Sequence, residues 1–126
     1  MNFPENLKYT NDHEWILIEN NIGTIGVTDY AQGELGDVVF VDVNSSITEV
    51  KKGDSFGTIE AVKTVSDLYA PCSGKIIEFN SALNDSPEKV NSDPYGEGWM
   101  VKIEISDLSE LNDLLDSNAY KQLIGQ

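Results

Sequence analysis

The fold the sequence predicts is a small, mainly β domain, a barrel or sandwich of short strands with helical additions. Short apolar runs recur at close intervals with turn-forming residues between them. The segment from Trp99 to Ile105 alternates with period two, placing Trp99, Val101, Ile103 and Ile105 on one face and Lys102 and Glu104 on the other. Helical spacing is seen in the tail, at Leu108, Leu111 and Leu115.

In order along the chain, "HEWILIENNIGTIGV" is two apolar runs around Asn20-Asn21. Asn tolerates positive φ, so the segment reads as a tight hairpin. In "TDYAQGELG", Thr28 or Asp29 caps one or two helical turns that close near Gly36. "DVVFVDV" has apolar residues on both faces and is expected to be a buried strand. "NSSITEVKKGDSFGTI" turns at Lys51-Lys52-Gly53-Asp54 and enters a further strand. After the break at Pro71 and Gly74, Lys75 to Phe79 forms another strand. "NSALNDSPEKVNSDPYGEG" reads as a long polar loop. In the tail, Ser117 is expected to cap a second short helix carrying Tyr120, Leu123 and Ile124.

The 126 residues suit one domain, residues 1–126, with a core that needs neither disulfide nor metal. Twenty-two acidic residues face eight basic ones, all lysine, for a net charge of −14. Such a surface repels nucleic acid and anionic membranes. It suits steering toward basic protein partners, with solubility as the plain alternative. One Cys (Cys72) and one His (His13) leave no disulfide and no local metal signature. Cys72 is expected to be a small buried hydrophobe. No apolar run reaches a membrane span, and the N-terminus lacks signal or transit character. A cytoplasmic protein is expected, with a mature mitochondrial one as the alternative.

"GTIGV" at Gly23–Val27 resembles "GTIEAV" at Gly57–Val62, and a Gly opens an apolar strand after each, at Gly36 and at Gly74. This internal repeat implies two similar β half-units packed as a quasi-symmetric pair. The second copy is longer and holds Lys63, on a predicted protruding hairpin.

Lys63 lies in "TIEAVKTVSD". A lysine at a turn is ordinarily just solvated. A carrier lysine needs an exposed tip on a rigid base, which a hairpin on a compact sheet supplies. Val62 and Val65 are expected to anchor its limbs, and Glu60 and Asp67 place carboxylates on either side. These acids suit recognition by an attaching enzyme or the holding of a cation at the end of an arm.

The segment "GTIEAVKTVSD" followed by "APCSGKIIEFN" resembles the lipoylation site of the glycine cleavage system H protein family. "KYTNDHEW", "GTIGVTDYAQGELGDVVFVDV" and "NSDPYGEGWMVKI" resemble further segments of that family, in order, so that the likeness covers roughly residues 7 to 125. Other lipoyl domains usually have a D-K-A-type tip, and in biotin carriers Met normally flanks the lysine. The resemblance implies one lipoyl-type domain with a barrel-sandwich hybrid fold of two small sheets, with accessory and C-terminal helices. It implies lipoate in amide linkage on Lys63, serving a pyridoxal-phosphate glycine decarboxylase, a tetrahydrofolate-dependent aminomethyltransferase and a flavin (FAD) dihydrolipoamide dehydrogenase. A lipoate ligase or lipoyl transferase would attach the group. The protein would shuttle an aminomethyl unit and reducing equivalents as a monomer, without catalysing a reaction itself. In the family the loaded arm folds into a cleft of its own protein, and the matching residues here are Glu14, Asp67 and Asp12, with Asp12 where some members have Ser. The plain alternative for Glu14 is a solvated acid at a strand edge.

Two other functions compete: a carrier that relays lipoate to other lipoyl domains, and an unmodified acidic protein-binding module. An enzyme is disfavoured, because the sequence shows no nucleophile–base pair, metal cluster or phosphate loop.

Overall fold

The computed structural model describes residues 2–43 and 46–126. Asn44 and Ser45, which open the segment leading to the turn at 51–54, lie outside the described residues. Among the described residues two antiparallel sheets form a sandwich-like, mainly β structure without a closed barrel. The six-stranded sheet has the order β1 (Lys8–Tyr9), β2 (Glu14–Glu19), β3 (Ile22–Val27), β9 (Val101–Ile105), β8 (Gly74–Phe79), β5 (Glu49–Val50). The three-stranded sheet has the order β4 (Val38–Val43), β6 (Ser55–Ala61), β7 (Val65–Tyr69). The main core draws on both sheets: Ile16, Ile25 and Ile103 from one, Val41, Ile59 and Leu68 from the other, with Cys72 fully buried among them. Burial pushes the Cys72 thiol up to about 11. It behaves as the small hydrophobe expected from its sequence.

The predicted hairpin is present. Glu19 pairs with Ile22 across Asn20-Asn21, and Asn20 takes the left-handed conformation at φ 59°. Within this hairpin Trp15 lies over Gly26, where a Cβ would stand 2.8 Å from the indole. The indole Nε1 donates to the Pro94 carbonyl at 3.0 Å. The predicted helix is α1, Asp29–Leu35. Thr28 Oγ1 accepts from the Ala31 N–H at its start, and Gly36 ends it at φ 78°, where glycine carries no steric penalty.

The half-units cross the sandwich in opposite senses. β3 in the larger sheet leads to β4 in the smaller, while β6 in the smaller sheet leads, through β7, to β8 in the larger. The extra residues of the second copy make the β6–β7 hairpin, which the first copy lacks.

Several expectations are corrected. β4 is not buried on both faces: Val39 and Phe40 are 51% and 44% exposed. A bulge falls between Val38 and Phe40, and the three-stranded sheet has an open outer face. The polar loop after β8 contains two single-turn helices, α2 (Ala82–Asp85) and α3 (Lys89–Ser92), which bury Leu83 and Val90. Trp99 lies outside β9 and is half-buried, with Lys102 Nζ 5.1 Å from its ring centre. In the tail, Leu108–Asp113 is a 3-10 helix, and Leu115 pairs with Tyr9 rather than continuing a helix.

The last helix, α4 (Ser117–Leu123), is capped by Asp116, whose Oδ1 accepts from the Ala119 N–H at 2.8 Å. Ser117, the predicted cap, is buried and donates to the Phe3 carbonyl at 2.7 Å. α4 thereby closes a second, aromatic core of Phe3, Leu7, Tyr9, Trp15 and Tyr120. No helix among the described residues is long and apolar enough to cross a membrane.

Candidate functional site

Lys63 stands at the tip of the β6–β7 hairpin. The Ala61 N–H donates to the Thr64 carbonyl at 2.8 Å, closing a two-residue loop of Val62 and Lys63. The Val62 N–H donates to the Asp37 carbonyl at 3.0 Å, which ties the loop to the start of β4. The root of the lysine is therefore held by backbone bonds while its side chain is exposed. Its stem passes over Gly36, where a Cβ would stand 3.4 Å from Lys63 Cε. Val62 and Val65 do not anchor the limbs by burial, since they are 76% and 62% exposed. The backbone bonds of the loop do that work, and the two valines give the tip an apolar surface.

A cleft of about 250 Å³ opens beside this hairpin. The turn after β1 supplies Asp12 and His13 on one side and the start of β2 supplies Glu14, while α1 supplies Tyr30 and Glu34, and β7 supplies Asp67. Leu35, Ile59 and Leu68 make its lining partly apolar. The three acids marked in the sequence thus meet in one cleft, although 55 positions separate Glu14 from Tyr69, whose N–H donates to it. Glu60 is not part of the cleft. Its neighbours across the sheet are Phe40 and Val65, away from Asp67.

The three acids differ in setting. Asp12 and Asp67 are exposed at the mouth, where the Tyr69 hydroxyl donates to Asp67 Oδ2 at 3.3 Å. Glu14 is only 2% exposed, so the solvated strand-edge reading is overturned. The cause is tertiary: β7 and α1 close over the end of β2. Its Oε1 accepts from the Thr10 hydroxyl at 2.9 Å, and its Oε2 from the Tyr69 N–H at 3.3 Å. Burial pushes its carboxyl up to about 8, against the pull of these two hydrogen bonds and with a small push from Asp12. Among the described residues no cation lies within ion-pair distance of Glu14. A buried carboxyl without a counter-charge, at the bottom of an open cleft, suits a cationic guest.

Behind the cleft lies a trio that no motif points to: His13, which lines it, with Tyr120 and Thr28, which do not. His13 is held in the left-handed conformation, φ 68°, with Nδ1 2.8 Å from the Tyr120 hydroxyl. The same hydroxyl lies 2.8 Å from Thr28 Oγ1. Burial lowers the His13 pKa, opposed by Asp12 and Glu34. Nothing local marks this trio, because 107 positions separate His13 from Tyr120.

Known proteins resemble this chain throughout. The model of the family "Glycine cleavage H-protein" matches residues 7–126. The glycine cleavage system H protein of Staphylococcus haemolyticus is 56% identical over 126 residues, 100% of both chains. That of Bacteroides thetaiotaomicron is 56% identical over 124 residues, 98% of both chains. The crystal structure of a glycine cleavage system H protein from Mycobacterium marinum superposes with a TM-score of 0.90 at 38% identity, covering 98% of this chain and 100% of that one. Matched in sequence along its length and in the arrangement of its sheets, the chain belongs to the glycine cleavage H-protein family, the lipoyl carriers of the glycine cleavage system.

Proposed function

We propose that Lys63 carries lipoate through an amide on its ε-nitrogen, and that the cleft around Glu14 shelters the loaded end of the arm. The observation behind this reading is the pairing of an exposed, backbone-tethered lysine with an adjoining cleft whose buried carboxyl has no counter-charge. The residues fit the group. A two-residue loop leaves the amide-forming nitrogen accessible, and the partly apolar cleft suits an aliphatic arm ending in an ammonium. When bound, the lipoyl dithiolane supplies the redox and group-carrier chemistry, holding an aminomethyl unit or reducing equivalents.

This chain's residues do the rest. Glu14 is largely protonated at neutral pH when the cleft is empty, given a carboxyl near 8. It gives up that proton as a cationic group enters, and the carboxylate pairs with the cation. Asp12 and Asp67 draw the cation in from the mouth. Leu35, Ile59 and Leu68 exclude water, which slows hydrolytic loss of the cargo.

The chain acts as one carrier domain and as a substrate of its partners, not as a catalyst. The partners are a glycine decarboxylase, an aminomethyltransferase, a dihydrolipoamide dehydrogenase and a lipoate-attaching enzyme. Exposed Val39, Phe40, Val62 and Val65 give them an apolar landing area around the arm's root. The bacterial origin of its relatives supports work in a bacterial cytoplasm.

Intact mass after co-expression with a lipoate ligase and lipoate tests the attachment. One lipoyl group is expected on the wild type and none on Lys63→Arg. An unchanged wild-type mass, or modification elsewhere, would sink the reading. For the cleft, the loaded form of Glu14→Ala is expected to lose its cargo at least about tenfold faster, the equivalent of 1.4 kcal/mol. Equal loss rates would remove Glu14 from that role.

A further inference from the structure

We infer that Tyr120, on α4, is a positioning residue of the cleft: its hydroxyl ties the wall that bears His13 and Glu14 to the wall built by α1. This inference rests on the cleft reading above. The tyrosine ring is fixed independently of its hydroxyl. It is fully buried, stacked on Tyr9 with ring centres 4.8 Å apart, and meets Phe3 edge-on at 5.5 Å. The hydroxyl therefore reaches His13, which lines the cleft, as a stationary group.

Its two partners belong to opposite walls. On one side is the Nδ1 of His13, the neighbour of Glu14. On the other is Thr28 Oγ1, which also accepts from the Ala31 N–H and so starts α1. The hydrogens can be placed consistently in two ways. Thr28 donates to Tyr120 and Tyr120 donates to His13, or His13 donates to Tyr120 and Tyr120 donates to Thr28. Both arrangements fix the imidazole through Nδ1. The walls also meet through the backbone, where the Thr28 N–H donates to the His13 carbonyl at 3.0 Å. His13 is a non-glycine residue at φ 68°, a conformation that persists where surrounding bonds impose it.

Without the hydroxyl, His13 Nδ1 and Thr28 Oγ1 lose a shared partner in a partly buried place. The imidazole, which lines the cleft, is then free to turn into it. The first turn of α1, which carries Tyr30 and Ala31, is then tied to the opposite wall only by the backbone bond from Thr28 to the His13 carbonyl. The cleft keeps its residues but not its width, and the sheltered end of the arm meets more water.

The test uses the full chain, lipoylated on Lys63 and loaded by glycine and the decarboxylase, with cargo loss followed by intact mass. Tyr120→Phe keeps the ring and is expected to shorten the loaded lifetime about tenfold. His13→Asn, which tolerates the left-handed backbone, is expected to do the same. The double variant is expected to be no worse than the poorer single one, because both remove one link. In the unloaded protein, the ¹⁵N signals of the His13 ring are expected to shift in Tyr120→Phe, which a tyrosine acting only in packing would not cause. Glu14→Gln separates the two ideas. If it shortens the lifetime while a folded Tyr120→Phe matches wild type, the positioning role is overturned and the cleft reading stands. If neither variant changes the lifetime, the cleft reading falls and the inference falls with it. Additive effects in the double variant also overturn it. Should Tyr120→Phe fail to fold, a wild-type lifetime in His13→Asn overturns it alone.

Discussion

Lys63 rises from a two-residue loop flanked by valines in solvent, whereas Glu14, across the neighbouring cleft, is buried beneath a helix and a strand from elsewhere in the chain. The first site is local: one hairpin, β6 and β7, carries the lysine at its tip, and a bond to the Asp37 carbonyl ties that tip to the start of β4. The second is assembled from the turn after β1, the start of β2, α1 and β7, with a link to α4. On the carrier function proposed above, the lysine has to be reached by several enzymes, which an exposed tip allows. On the same reading the cleft has to exclude water, which takes residues from several elements. The two therefore tolerate change very differently.

The largest difference is expected in the response to pH. The Glu14 carboxyl is raised to about 8 in the folded protein from an ordinary 4.5. The folded state thus holds the proton more tightly than the unfolded chain. Its contribution is complete below about 4.5 and is lost as pH rises through about 8, a change on the order of 4 kcal/mol. Glu14→Gln should therefore gain on the wild type by that order between pH 5 and pH 9, read from urea unfolding at each pH. A constant difference across that range would mean that Glu14 is not shielded as described.

A smaller effect separates floor from tip by packing. In Gly26→Ala the new Cβ would meet the Trp15 indole, next to Glu14 in β2, and is expected to cost about 1–3 kcal/mol. Val62→Ser at the 76% exposed tip is expected to stay within about 0.5 kcal/mol. Urea midpoints of the two variants check this. Equal losses would erase the contrast.

The smallest effect is kinetic. If the net charge of −14 steers partners to the tip, cargo transfer from the decarboxylase should slow severalfold as salt rises from about 0.05 to 0.5 M. Stopped-flow transfer rates at several salt concentrations would show it. A salt-independent rate would leave the charge as a solubility feature.

What was legible in the sequence was local. Asn20-Asn21 specified a hairpin because few residues accept positive φ. Thr28 and Gly36 bounded α1 because capping is a short-range bond. The Lys63 hairpin followed from its flanking pattern. Illegible features depended on what packs against what. The exposure of Val39 and Phe40 needed the knowledge that a three-stranded sheet leaves one face open. Leu83 and Val90 sit on single helical turns too short for any period to show. The burial of Glu14 has no signature in "HEW", since the lid over it comes from residues fifteen or more positions further on. In the tail, Asp116 and Ser117 both suit a cap, and the choice is settled by Phe3, which claims the serine hydroxyl.

The closure of the aromatic core by α4 has a consequence for the order in which the molecule acquires its abilities. A ribosome delivers the chain from its N-terminus, so the Lys63 hairpin emerges well ahead of Tyr120. Tyr120, which bonds to His13 and Thr28 behind the cleft, emerges later than either of them. During synthesis the exposed hairpin is therefore out before α4 can dock and close the aromatic core beside the cleft.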